Sequence, residues 1–239
     1  MRLLAFETAT EACSVAVYVD GAVRERFEVA PRRHAELALP WAEALLAEAG
    51  LARAQLDAVA VGRGPGAFTG VRLAIAVAQG IALALDRPLV PVSTLAALAL
   101  HPLPGPPPAG APAHVLAAMD ARMGEVYAGA FALAGDEVHP LSPERVMPPD
   151  AVTLPDRPGP WYGLGTGFAA ANGALATRLA PPLAAVDAAA LPHAAAVARL
   201  AAQAYARGEA VAPERVEPAY LRDQVALTLA EQEALRAGH

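Results

Sequence analysis

"LLAFETATEACSVAVYVDG" (residues 3–21) returns in outline as "HVLAAMDARMGEVYAGAFALAG" (residues 114–135). Each stretch is an apolar strand ending on an acid, Glu7 or Asp120, followed by a short turn and an alternating strand closed by glycine. Glu7 stands 14 positions before Gly21, and Asp120 stands 15 before Gly135. A second echo follows in the same order. "AVGRGPGAF" (60–68) carries glycines at 62, 64 and 66; "WYGLGTGF" (161–168) carries them at 163, 165 and 167. An aromatic residue and a helical stretch come after each. Two echoes in one order predict a duplicated unit, hence an α/β protein of two related lobes facing each other.

The boundary between the lobes is expected at "HPLPGPPPAGAP" (101–112), whose six prolines make a stiff, extended connector. This divides the chain into a first lobe at 1–100, a second at 113–220 and a polar helical tail at 221–239, its helix starting near Val225. Within the first lobe, Asp20-Gly21 reads as a hairpin turn. A helix follows in "VAPRRHAELALPWAEALLAEAG" (29–50), with Gly50 as its stop and Pro40 predicting a kink or a late start. Thr69 is placed to cap a further helix that runs to about Leu85. Near the end of the second lobe, the alanine-rich segment 193–206 reads as helical.

Composition narrows the function. The chain has 239 residues, a net charge of −6 and no lysine, so all 18 basic residues are arginine. An acidic balance argues against autonomous nucleic-acid binding, which needs a basic face. One cysteine, Cys13, permits no internal disulfide and reads as a small buried hydrophobe. Glu7 interrupts the apolar core that a secretory leader needs. "LAIAVAQGIALAL" (73–85) is shorter than a bilayer span and holds Gln79 and Gly80. The expected location is the cytoplasm, with no membrane partner.

The glycine loop admits several chemistries. A Walker loop needs a lysine, which the chain lacks altogether. Gly62-Arg63-Gly64-Pro65-Gly66-Ala67 fits the looser dinucleotide pattern, but Asp86 precedes the next strand where a ribose-binding acid should end it. Two readings stand: glycines that permit positive φ and close backbone packing, or a loop that shapes a pocket or partner surface. Glu7, Thr8, Thr10, Gly64, Gly66, Thr69, Arg72 and Asp120 form the candidate, vestigial or shared, nucleotide-site set. Glu7 and Asp120 suit metal or phosphate-bound water in a cleft, and equally suit local turn hydrogen bonds. No two histidines lie three or four apart, so no helical zinc pair exists. Neither Ser14 nor Ser93 sits in a nucleophile elbow.

The helix over 70–85 is apolar or glycine around its circumference except at Arg72 and Gln79, which predicts burial on all sides. Together with the Leu37, Trp41 and Leu45 face of the preceding helix, its Val71, Leu73, Ile75 and Ile81 suggest a helix-pair surface for oligomerisation.

The two strand–turn–strand units, "RRHAELALPWAEALLAEAG", "LDAVAVGRGPGAFTGVRLAIAVAQGIALAL", "VSTLAAL" and "EPAYLR" together resemble the TsaB (YeaZ) family of bacteria. That family is a branch of the actin/Hsp70/sugar-kinase superfamily, and the resemblance implies its two-lobed fold. It further implies a non-catalytic paralogue in the machinery that makes N6-threonylcarbamoyladenosine at position 37 of ANN-decoding tRNAs. The implied partners are the catalytic TsaD, the ATPase TsaE and, without TsaD, a second copy of the chain; tRNA is reached only through the complex. No metal or cofactor belongs to the chain itself, and contact with ATP or ADP is expected only at the partner interface. In the catalytic relative two histidines hold a metal where Thr94 and Leu98 stand here. Glu7 occupies a position where many superfamily members have aspartate. The competing readings are an autonomous ATP-dependent enzyme using the cleft, a metallopeptidase, and a simple homodimeric structural protein.

Overall fold

The computed structural model describes residues 1–106 and 112–222; the expected helix from Val225 lies outside them, as does part of the connector. The first sheet is built from β1 (Arg2–Glu7), β2 (Ala12–Val19), β3 (Ala22–Val29), β4 (Ala58–Gly62) and β5 (Leu89–Val92), in the order β3-β2-β1-β4-β5. β1 runs antiparallel to β2 and parallel to β4, and β4 runs parallel to β5. Asp20 and Gly21, both at positive φ, make the tight turn between β2 and β3. Helices α1 (His34–Glu48) and α2 (Phe68–Leu85) cross from β3 to β4 and from β4 to β5.

A short helix, α3 (Thr94–Ala99), leads into the second sheet. Its strands are β6 (Ala113–Arg122), β7 (Glu125–Ala134), β8 (Glu137–Pro140), β9 (Arg145–Met147), β10 (Trp161–Leu164) and β11 (Leu183–Asp187), with α4 (Ala170–Leu179) between the last two. Their order is β8-β7-β6-β10-β11, with β9 added on β7. β6 runs antiparallel to β7 and parallel to β10, and β10 runs parallel to β11. Strand for strand, order and sense repeat the first sheet. The duplication read from two sequence echoes is a duplication of topology.

Both faces of the first sheet are covered. Leu4, Phe6, Val15, Val17, Val59 and Val61 face α1 and α2. The opposite face, with Leu3, Ala5, Ala16, Ala58 and Ala60, packs against α5 (Ala194–Ala206). Alanine meets alanine here, so the helix can lie close to the strands. The first-lobe strands also cap it: Ser14 Oγ accepts from Ala194 N and Glu25 Oε1 accepts from Ala195 N, both at 2.9 Å. A division at 113 therefore separates the two sheets but not their helices. α5 and Val216 complete the first lobe's core from the far end of the chain.

Three local expectations change. α1 starts at His34 and runs through Pro40, which lies on its exposed side, so there is no late start. Thr69 is not the cap of α2; the N-cap is Ala67, whose N–H is drawn instead to Ala9 O at 2.7 Å. α2 is not buried on all sides. It buries Gly70, Val71, Ala74, Ile75, Ala78 and Ala82 against the sheet and leaves Phe68 69% and Leu83 61% exposed. At 18 residues it is long and apolar enough to span a membrane by length and composition, longer than the run at 73–85, but its small-residue face is packed on β4 and β1.

Candidate functional site

The glycine loop between β4 and α2 lies against the turn that follows β1. A Cβ on Gly62 would stand 2.0 Å from Glu7 Oε2, one on Gly66 2.5 Å from Ala9 O, and one on Gly70 2.0 Å from Thr8 O. Thr8 Oγ1 donates to Gly70 O at 2.7 Å, closing the contact from the other side. Only glycine permits this approach of two backbones. Thr8 and Ala9 of the turn after β1 are thus packed directly on the glycine loop. Gly64, at φ +92°, turns the chain before the cis Gly64–Pro65 peptide.

Glu7 is sealed beneath this contact at 1% exposure. Its Oε1 accepts from Ala9 N at 2.8 Å, and its Oε2 accepts from Thr94 Oγ1 at 2.9 Å. Thr94 Oγ1 in turn accepts from Gly64 N at 3.2 Å. Burial pushes the Glu7 carboxyl up to about 7, against the lowering effect of the Ala9, Thr94 and Thr8 hydrogen bonds. The acid at the strand end is therefore a structural knot tying β1, the glycine loop and α3. Thr10 serves the same turn, its Oγ1 accepting from Ala12 N at 3.2 Å.

In the second lobe Gly165 and Gly167 press on Ala118 as Gly66 presses on Ala9. The acids are not in register with this match. Gly62 lies next to Glu7, but Gly163 pairs with Leu116, so Asp120 sits four residues further along its strand. β6 continues to Arg122 before a tight turn through Arg122, Met123 and Gly124, all at positive φ. Asp120 Oδ1 accepts from Arg122 N at 2.8 Å, and its Oδ2 lies 3.2 Å from the Arg122 guanidinium. Both acids thus make local turn hydrogen bonds. Among the described residues, no group of three or more His, Cys, Asp or Glu side chains could hold a metal ion. Thr94 and Leu98 are fully buried.

Two polar contacts near the loop had no sequence signal beyond a helix cap. Ser93 caps α3, accepting from Ala96 N at 3.1 Å, and donates to Glu144 of the second lobe. Burial raises the Glu144 carboxyl, while Ser93 and the nearby Arg63 lower it.

The seven interface residues divide. Leu45, Val71 and Ile75 face the sheet at 1%, 4% and 5% exposure, so they belong to the core and cannot meet a partner. Leu37, Trp41, Leu73 and Ile81 are half-buried. What α2 presents outward is a stripe of Thr69, Leu73, Ala76, Gly80 and Leu83, spaced four, three, four, three. That is the spacing of a helix-packing seam, with its smallest residues at the middle. α1 lies beside α2 and exposes Leu39.

Two sheets of one topology, each with a glycine turn pressed on its first hairpin, define a two-lobed protein of the actin/Hsp70/sugar-kinase type. The family model described as TsaD, tRNA N6-adenosine threonylcarbamoyltransferase, matches residues 27–229. The chain belongs to the TsaB (YeaZ) family. It is 40% identical over 234 residues to the tRNA threonylcarbamoyladenosine biosynthesis protein TsaB of Escherichia coli (strain K12), covering 95% of this chain and 96% of that one. With the TsaB of Haemophilus influenzae it shares 34% identity, covering 94% and 95%. The solved structure of YeaZ from Pseudomonas aeruginosa superposes with a TM-score of 0.79 at 43% identity, over 92% of this chain and 99% of that one.

Proposed function

We propose that this protein is a non-catalytic partner subunit of the machinery that installs N6-threonylcarbamoyladenosine on tRNA, and that it works by presenting the outer face of α2 to the catalytic TsaD. The observation that carries the non-catalytic part is the Glu7 carboxyl, buried and committed to Ala9 N and Thr94 Oγ1. Above it Ala9 and Thr8 press on Gly66 and Gly70, leaving no room for a Cβ at either glycine. The two relatives matched over nearly the whole chain are named biosynthesis protein TsaB rather than transferase, which supports the same division of labour. The chain acts in the cytoplasm, TsaE joins the pair, and a second copy takes the α2 face when TsaD is absent. Transfer of the threonylcarbamoyl group to adenine N6 takes place in the partner, and tRNA is met through the complex. Contact with ATP or ADP falls at the subunit interface.

Gly80 offers a clean test, because nothing lies within 4 Å of a Cβ added there. Gly80→Leu therefore leaves the isolated fold intact while filling the middle of the seam. Mixed with TsaD of the same organism, the variant should bind about tenfold or more weakly, the effect of about 1.4 kcal/mol of lost packing. It should also fail to restore the modified tRNA in a strain lacking the gene. Undiminished complex formation by Gly80→Leu and by Leu73→Asp would overturn the interface; tight Mg-ATP binding with turnover by the isolated chain would overturn the non-catalytic reading.

A further inference from the structure

The chain returns to the first lobe with α5 and then leaves it again. Leu89 and Val211 exchange N–H to carbonyl bonds, both 2.9 Å, so residue 211 extends the first sheet beyond β5. Gln79 Nε2 of α2 donates to Pro213 O at 2.9 Å and to Val216 O at 3.2 Å. Ala219 N donates to Arg63 O at 2.8 Å, a carbonyl inside the glycine loop. The next residue, Tyr220, bonds through its hydroxyl to Arg72, whose guanidinium carbon lies 3.3 Å from the Phe68 ring centroid.

Arg222 then reaches the second lobe. Its Nη2 donates to Ala121 O at 3.1 Å and to Glu125 Oε2 at 2.6 Å, both at the β6–β7 turn. The two side chains are 19% and 31% exposed, which makes this the most buried arginine–carboxylate pair among the described residues. Ala219 and Arg222 are three residues apart, a reach of at most about 10 Å. One short segment therefore holds the glycine loop of one lobe and the hairpin turn of the other. It also bonds to Arg72 of α2 through Tyr220, and Arg222 Nη1 donates to Met123 Sδ at 3.5 Å.

We propose that residues 216–222 form a latch between the lobes, with the Arg222–Glu125 pair as its catch and the Ala219 bond to the glycine loop as its anchor. The segment also grips Gln79 and Arg72, so the latch links the position of α2 to the turn of the second lobe. This goes beyond the partner reading and holds whichever protein docks on α2.

Hydrogen exchange on the full chain separates a latch from a decorative ion pair. In Glu125→Ala the Ala219 amide, on the other lobe's side, should exchange about tenfold faster, the effect of losing one charge-assisted hydrogen bond. Residues 63–67 should lose protection with it, because a latch opens as one unit. Since Glu125 begins β7, Arg222→Ala is the second variant, removing the catch from the strap side; it should give the same pattern. The double variant should exchange no faster than either single one. Unchanged protection at Ala219 in both single variants, with faster exchange confined to 121–125, would overturn the latch, as would a double variant whose effect is the sum of the two.

Discussion

Glu7 is a candidate site acid in the sequence and, in the fold, a buried carboxyl hydrogen-bonded by the chain around it. It ends a strand beside two threonines and a glycine loop, as a phosphate-site acid would. The folded chain buries it and satisfies it with Ala9 N and Thr94 Oγ1. Neighbours in sequence announce the Ala9 bond, since a strand-end acid commonly binds the turn after it. The Thr94 bond joins residues 87 apart and has no local signal. Burial lifts the carboxyl from 4.5 to about 7, so between those values the native state holds a proton the unfolded chain has released. Stability from this group is therefore complete below about pH 4.5 and is lost as pH rises through about 7, by about 3 kcal/mol in all. Glu7→Gln should flatten that slope, so that the variant gains on the parent at pH 8 and not at pH 4.5. Melting temperatures across this range check it, and equal slopes in the two proteins would show Glu7 ionised in both states.

At the scale of the element, α2 and the loop before it assign opposite roles to glycines only ten residues apart. Gly70 faces the β1 turn, where a Cβ would stand 2.0 Å from Thr8 O. Gly80 faces open space. Gly70→Ala should therefore cost about 1–3 kcal/mol, the range for forced overpacking. Gly80→Ala should stabilise by about 0.5–1 kcal/mol through helix propensity. Urea unfolding of both variants tests the contrast, and a shift of the same sign in each would contradict it. The uniform greasiness of α2 hid this difference. Alanine and glycine count as apolar wherever they point, so periodicity carried no contrast between the face on the sheet and the face on the surface. The helix itself, its stop at Leu85 and the loop before it were all legible; its direction of packing was not.

Across the whole molecule, the two sheets are copies, but the lobes do not divide the chain cleanly. α5 follows the second sheet in sequence and covers the first, laying Ala198, Ala201 and Ala204 against Ala5, Ala16 and Ala60. The alanine richness of the segment 193–206 is here what allows a helix to lie close on a sheet. A fragment ending at residue 112 would expose this entire face, so it should fail to fold as a soluble monomer. Fusing residues 190–222 to it should restore the near-native strand signal. Circular dichroism and gel filtration decide this, and a folded, monomeric 1–112 would show that α5 is dispensable.

The strand–turn–strand units, the doubling of the unit, the glycine turns and the absence of a Walker lysine or a helical histidine pair all followed from the sequence, because each is set by residues close together along the chain. Which side of α2 is free, what packs on the glycine loop and where Arg222 finds Glu125 were decided only by the tertiary structure. Those outcomes depend on contacts between residues tens to hundreds of positions apart, and side chains that pack or pair over such separations leave no local period in the sequence to read.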